Sequence, residues 1–232
     1  MKSSSLTFIT FLLALLSSCG GSSAQCQNGD SVIAGGPSLH VTILLDDSSS
    51  METLAQEVVT SFNNLLSKLP DSATLSLYGF GDESGIRVLI DNESVSSLAP
   101  LDLYQYVPNG QTPLYDAISF TLTRTDSEMT QADLKNAQFI IISDGGENAS
   151  VRYSLSDTQS IVQNAISEGA IIRFIALGED ASMEATNLGI DISATESFNP
   201  DADGVSEAFD NIGGSFAQQT NGPKCDQLIP GG

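Results

Sequence analysis

Residues 39–218 are predicted to form a doubly wound α/β domain, a mostly parallel sheet with helices on both faces. Three observations predict it. From Leu39 onward, short apolar β-like runs alternate with amphipathic helical stripes. Two clusters of acidic and hydroxyl residues follow directly on apolar runs, which puts them at strand ends. The chain has 232 residues, 41% of them hydrophobic, enough for one sizeable core and one domain.

The elements follow in order. Val41 to Leu45 is an apolar run that ends in the acidic loop Asp46-Asp47-Ser48-Ser49-Ser50. Met51, Leu54, Val58, Phe62, Leu65 and Leu69 recur at helical spacing and mark one buried face. Thr74 to Phe80 alternates as a strand, and Ile86 to Ile90 is a second strand after Asp82-Glu83-Ser84-Gly85. So short a link predicts a hairpin, hence an antiparallel pair. Residues 95 to 110 read as irregular or partly helical. Pro113 to Thr123 reads as a helix with Pro113 in its first turn. Phe139 to Ile142 is a buried-strand candidate. Ile161, Val162, Ala165 and Ile166 form a helical stripe stopped by Gly169. Ile171 to Leu177 is the next strand, and Val205, Ala208, Phe209, Ile212 and Phe216 mark a last amphipathic helix.

Five oxygen-bearing side chains stand where a metal site would need them: Asp46, Ser48, Ser50, Thr112 and Asp144. Hydroxyls and carboxylates are hard donors, suited to Mg²⁺, Mn²⁺ or Ca²⁺ rather than zinc or copper. Asp46 closes the first strand and Asp144 a later one, and ligands of open α/β sheets bind at such carboxyl ends. The competing expectation is that Asp46, Ser48 and Ser50 only cap the following helix.

At these residues the chain resembles the von Willebrand factor type A domains that carry a metal-ion-dependent adhesion site. The Asp-x-Ser-x-Ser pattern falls on Asp46, Ser48 and Ser50; the family's Thr falls on Thr112, in Thr-Pro-Leu-Tyr-Asp-Ala-Ile; its second Asp falls on Asp144, before Gly145. The resemblance implies a six-stranded sheet in the order 3-2-1-4-5-6 with strand 3 antiparallel. It also implies direct metal bonds from Ser48, Ser50 and Thr112, with Asp46 and Asp144 often acting through water, and a partner protein that offers Asp or Glu to the metal. Two positions depart from the pattern. Ser49 stands where the family often has Gly, and Asp47 adds a carboxylate expected to point to solvent or cap the Met51 helix.

The formal net charge is −21, from 8 basic and 29 acidic residues. Such a surface repels nucleic acid and anionic lipid, so neither DNA nor RNA is an expected partner. Residues 1–18 read as a signal peptide, with Lys2 before the apolar run Leu6 to Leu16, which is too short to span a bilayer. Leu16-Ser17-Ser18-Cys19-Gly20 resembles a bacterial lipobox, in which Cys19 is lipidated. The alternative is cleavage after Ser22-Ser23-Ala24 and secretion. With Cys19 as anchor, residues 19–38 are a tether and N-terminal segment, and residues 219–232 a C-terminal tail. Gly20 rather than Asp after the anchor points, by analogy with Gram-negative sorting, to an outer-membrane lipoprotein of the cell envelope. Lipidation of Cys19 leaves Cys26 and Cys225 as an even pair in an oxidising compartment. Their disulfide would close nearly the whole domain, worth about 5 kcal/mol in the chain-entropy model.

Other candidates lead elsewhere. Asn199, Asp201, Asp203, Gly204 and Asp210 partly match a calcium loop but read better as a capped helix start. His40 is the only histidine and reads as a strand-edge residue. Asn92-Glu93-Ser94 and Asn148-Ala149-Ser150 match glycosylation acceptors, which matter only in a eukaryotic secretory host. The expected function is a metal-dependent, adhesion-type protein-binding module rather than an enzyme. One rival is a structural or assembly module with a degenerate site. The other is a Mg²⁺-dependent phosphoryl hydrolase, which needs a second Asp where Ser48 stands and a supporting Lys. Lys135 is the only lysine between positions 69 and 223. A single histidine leaves no Ser-His or Cys-His nucleophile.

Overall fold

Six strands, β1 (His40–Asp46), β2 (Thr74–Asp82), β3 (Gly85–Ser94), β4 (Ala137–Ser143), β5 (Ile171–Leu177) and β6 (Thr195–Phe198), form one sheet in the order β3-β2-β1-β4-β5-β6. The computed structural model describes residues 39–82, 85–130 and 134–220. All pairings are parallel except β2 with β3. The expected order and the antiparallel hairpin are both observed. Five helices accompany the sheet among the described residues: α1 (Ala55–Leu66), α2 (Leu114–Glu128), α3 (Leu155–Glu168), α4 (Glu179–Asn187) and α5 (Ala202–Thr220).

Side-chain alternation along the central strands feeds two apolar layers. Val41, Ile43 and Leu45 of β1, with Ile140 and Ile142 of β4, pack on one face with Phe62 of α1 and Phe209 of α5. The two rings meet edge-on, 6.5 Å between centroids, a geometry worth about 0.5–1.5 kcal/mol beyond area burial. Leu44, Phe139 and Ile141 face the other way, against Ile118 of α2, Val162 of α3 and Ala181 of α4. The same alternation carries Asp46 and Ser143, the last residues of β1 and β4, onto the α2 side.

The expected Met51 and Val205 stripes are buried as read. The first begins as a 3-10 turn, Ser49–Leu54, that runs on into α1. Three readings are corrected. The stripe of α3 is narrower than its sequence suggests: Val162 is fully buried, whereas Ile166 is 41% exposed. The buried contact with α2 is partly polar, with Thr158 and Ser119 hydroxyls 2.9 Å apart. Pro113 stands at the cap position before α2 rather than in its first turn, and the helix continues past Thr123 to Glu128. Two elements, α4 and β6, pass unmarked in the sequence reading and carry no clear periodicity. α4 buries only the small side chains of Ala181 and Ala185, and β6 is a four-residue edge strand, half-buried. α3 is bounded as its sequence signals. Ser154 and Asp157 form a capping box, and Gly169 closes it at φ 105°.

Candidate metal centre

β1 is buried at every position after His40 and delivers Asp46 to the carboxyl edge with no exposed surface. Asp46 Oδ1 accepts the Ser48 N–H at 2.9 Å. Its Oδ2 accepts the Ser143 hydroxyl at 2.6 Å. The Tyr106 hydroxyl donates to the Asp46 carbonyl at 2.7 Å. Among the described residues no lysine or arginine pairs with this buried carboxylate. Burial therefore pushes its pKa from 3.8 up to about 6, against the opposing hydrogen bonds from Ser143 and Ser48.

A line of oxygens rises from this floor to the surface. Ser48 Oγ lies 3.0 Å from Ser50 Oγ, and the Ser50 hydroxyl donates to Asp144 Oδ1 at 2.9 Å. Ser48 is buried and Ser50 exposed. Burial also pushes the Asp144 carboxyl upward, opposed by the Ser50 hydrogen bond. Ser48 occupies the N-cap position of the following turn, yet its side chain makes no capping hydrogen bond. The purely capping expectation for this triplet is not what the geometry realises.

Thr112 arrives on the third loop. That loop is tied to the first by Asn109 N–H to the Asp47 carbonyl at 2.7 Å and by Ser49 N–H to the Gly110 carbonyl at 3.1 Å. Thr112 is buried, and its hydroxyl faces Gly145, where an added Cβ would sit 3.9 Å away. Asn148 clips Thr112 from the far side. Its Oδ1 accepts the Thr112 N–H at 2.8 Å, and its own N–H donates to the Thr112 carbonyl at 3.1 Å. The structure thus gathers all five predicted residues on one edge of the sheet.

Two expectations about the acidic loop are revised. Asp47 neither faces solvent nor caps a helix. It is 1% exposed, and Arg87 of β3 grips its Oδ2 through Nη2 and, at 3.0 Å, through Nε. β2 makes room for it. A Cβ on Gly79 would strike the Asp47 carboxylate, and one on Gly81 would strike the Asp47–Ser48 backbone. Ser49 costs the loop nothing in backbone freedom. Among the described residues the one non-glycine residue at positive φ is Asn92, at 48°.

Several residues of the site escape a reading by motif. Ser143 and Arg87 hold the two aspartates, and Asn148 holds Thr112. Asp116 accepts N–H bonds from Val151, Arg152 and Tyr153. Glu147 accepts those of Ala149, Ser150 and Tyr115. Together these acids staple the loop after β4 to the start of α2. The available signals were the acid within the Thr-Pro-Leu-Tyr-Asp run and the glycines two apart in Gly79-Phe80-Gly81. The remaining candidates behave as simple structure. Asp201 accepts the Gly204 N–H at 2.8 Å at the start of α5, and His40 Nδ1 sits 2.7 Å from Thr74 Oγ1. Cys19, Cys26 and Cys225 lie outside the described residues.

The donor set fits a hard cation. Among the described residues no three His, Cys, Asp or Glu side chains form a metal cluster. The set instead combines two carboxylates with three neutral hydroxyls, all oxygen, and the buried carboxylate, Asp46, has no lysine or arginine paired with it among the described residues.

The von Willebrand factor type A domain model matches residues 40–210. No curated protein matches the chain. Among solved structures, the open conformation of the pilus adhesin SpaC from Lactobacillus rhamnosus GG superposes with a TM-score of 0.58 at 15% identity, covering 80% of this chain and 30% of that one. Proximal thread matrix protein 1 of the mussel byssus, with a zinc-occupied metal-ion-dependent adhesion site, gives 0.55 at 16% identity, over 75% of this chain and 47% of that one. Manganese-loaded TRAP protein from Plasmodium vivax gives 0.52 at 16% identity, over 74% and 72%. At these identities the likeness is one of fold, and this chain spans less than half of the adhesin and of the byssus protein. The match over residues 40–210 places the chain in the von Willebrand factor type A domain family.

Proposed function

We propose that this chain is a divalent-metal-dependent protein-binding module, not an enzyme, and that it acts at the cell envelope. The observation that carries the reading is the run of Ser48, Ser50 and Asp144 oxygens above a buried Asp46 with which, among the described residues, no lysine or arginine pairs. Ser48, Ser50 and Thr112 would hold a Mg²⁺ (or Mn²⁺ or Ca²⁺) through their hydroxyls, with Asp46 and Asp144 behind them. When bound, such a cation supplies an electrophilic position whose charge neutral hydroxyls compensate poorly, suited to an Asp or Glu carboxylate from a partner. The chain's own part is positional. Ser143 fixes the Asp46 carboxylate, Arg87 draws Asp47 away from the edge, and Asn148 keeps Thr112 in line.

The family membership and the metal-loaded relatives support an interaction role. The envelope location rests on sequence alone: a signal peptide over residues 1–18, lipidation at Cys19 and a Cys26–Cys225 disulfide. Full chain immobilised in Mg²⁺ should capture a protein from an envelope extract and release it in EDTA, and Asp144→Ala should capture nothing. Capture that EDTA and Asp144→Ala both leave unchanged would refute the metal mechanism. Cys19→Ser should move the protein from the membrane fraction to the soluble one. If it stays in the membrane fraction, the lipid anchor is wrong.

A further inference from the structure

Next to Thr112 lies a cleft of about 500 Å³, lined by Gln111 and Pro113 and by Ala149, Val151, Arg152 and Tyr153. Ile86, Pro113 and Phe120 give its lining an apolar part, and Val151, also of the lining, is 88% exposed. Arg152 is the cation of this cleft.

The charge pattern makes Arg152 unusual. Lys68, Arg87, Arg124 and Arg173 each pair with an acid: Asp210, Asp47, Asp91 and Glu196. Exposed Arg152 and exposed Lys135 are the two described cations without an acidic partner among the described residues, and of the two Arg152 is the one that lines this cleft. Asp116, the acid of the same cleft, is buried and engaged by the N–H groups of Val151, Arg152 and Tyr153. Those bonds hold the Arg152 backbone in place, so the side chain projects from a fixed base. In a chain of net charge −21, a partner rich in acid is repelled almost everywhere. An unpaired arginine beside the candidate metal centre is the local exception.

We propose that the cleft is a second anchor point for the partner and takes an acidic side chain at Arg152. The occupant is a polypeptide segment with two acidic residues. One is directed at the Ser50–Asp144 edge. The other forms a forked, bidentate pair with the Arg152 guanidinium, with an apolar side chain between them on Ile86, Pro113 and Phe120. Only the first anchor rests on the metal reading above; the second stands on the cleft and its charge. Arg152 thereby selects among acidic partners and speeds their approach, the usual role of a charge at the rim of an interface.

A phage-displayed random peptide library, panned on the immobilised full chain in Mg²⁺, tests this. The wild type should enrich peptides with two acidic positions at a fixed spacing around an apolar one. Arg152→Glu should keep the first acidic position and lose the second. For a synthetic peptide of the wild-type consensus, Arg152→Ala should raise Kd about tenfold, with Arg152→Lys intermediate. Arg152 is exposed, so these variants fold. Acidic positions that all persist on Arg152→Glu, a wild-type consensus without an acid, or no enrichment at all overturns the proposal, whereas a single acid lost on Arg152→Glu keeps this anchor and overturns only the metal-directed one. The two readings separate within the same experiment. Failure of the metal mechanism leaves enrichment insensitive to EDTA and to Asp144→Ala, whereas the Arg152-dependent acid is read independently of both.

Discussion

Asp46 and Asp47 are chain neighbours, both buried, and the fold treats them in opposite ways. Asp47 is neutralised by Arg87 in a pocket that Gly79 and Gly81 leave open. Asp46 receives the Ser48 N–H and the Ser143 hydroxyl, and no lysine or arginine pairs with it among the described residues. One carboxylate is a finished internal ion pair. The other keeps a negative charge at the head of a line of hydroxyls that leads to solvent. Burying a charge without a partner is costly, so proteins pair it or leave it for a metal. The contrast shows where in this loop an external cation is wanted and where it is not.

The largest expected effect breaks the finished pair. Arg87→Ala strands Asp47 as a buried, uncompensated charge and should lower unfolding free energy by about 3–5 kcal/mol in urea melts. Adding Asp47→Asn should recover most of that loss. If Arg87→Ala is neutral, the Asp47 side of the contrast is wrong.

Removing the charges one at a time sharpens the difference. In chelator, Asp47→Asn should destabilise by about 1–3 kcal/mol, because it leaves Arg87 without its acceptor. Asp46→Asn should instead raise the metal-free melting temperature, because it removes a charge that burial penalises. Equal shifts in the two variants would mean that the aspartates are not handled differently.

Asn148→Ala tests whether Thr112 belongs to the Asp46 side. Loss of the clip should cost about 1 kcal/mol of stability and weaken divalent-cation affinity about tenfold, as outer-shell changes do. An unchanged affinity would detach Thr112 from the site.

The smallest effect is on pH. The folded pKa of Asp46, about 6, lies above its ordinary 3.8, so the folded state holds that proton more tightly than the unfolded chain does. Its contribution to metal-free stability is complete below 3.8 and is lost as pH rises through about 6. Asp144 shifts in the same direction. Metal-free melts should therefore show a decline over that interval that Asp46→Asn reduces, and a flat profile would contradict the burial cost.

Much of this was legible in the sequence, because the strong patterns are local. Alternating apolar runs and helical stripes mark β1 to β5, α1 and α5. The hydroxyl and acid motif marks the five residues of the edge. The rest depends on tertiary approach. No local pattern tells that Asp47 turns under the loop, since this is decided by two missing Cβ atoms on β2 and a guanidinium on β3. Asn148 reads as a glycosylation acceptor until Thr112 is seen to use its side chain. α4 and β6 bury too little to impose a period.

Calorimetric titration of Mg²⁺, and in parallel Mn²⁺ and Ca²⁺, into the folded full chain and into Ser50→Ala tests the central claim most directly. The wild type should take up a single cation with a measurable heat and a raised melting temperature, and Ser50→Ala should lose both. Absence of heat and of thermal shift with all three cations on a folded wild type would contradict the account.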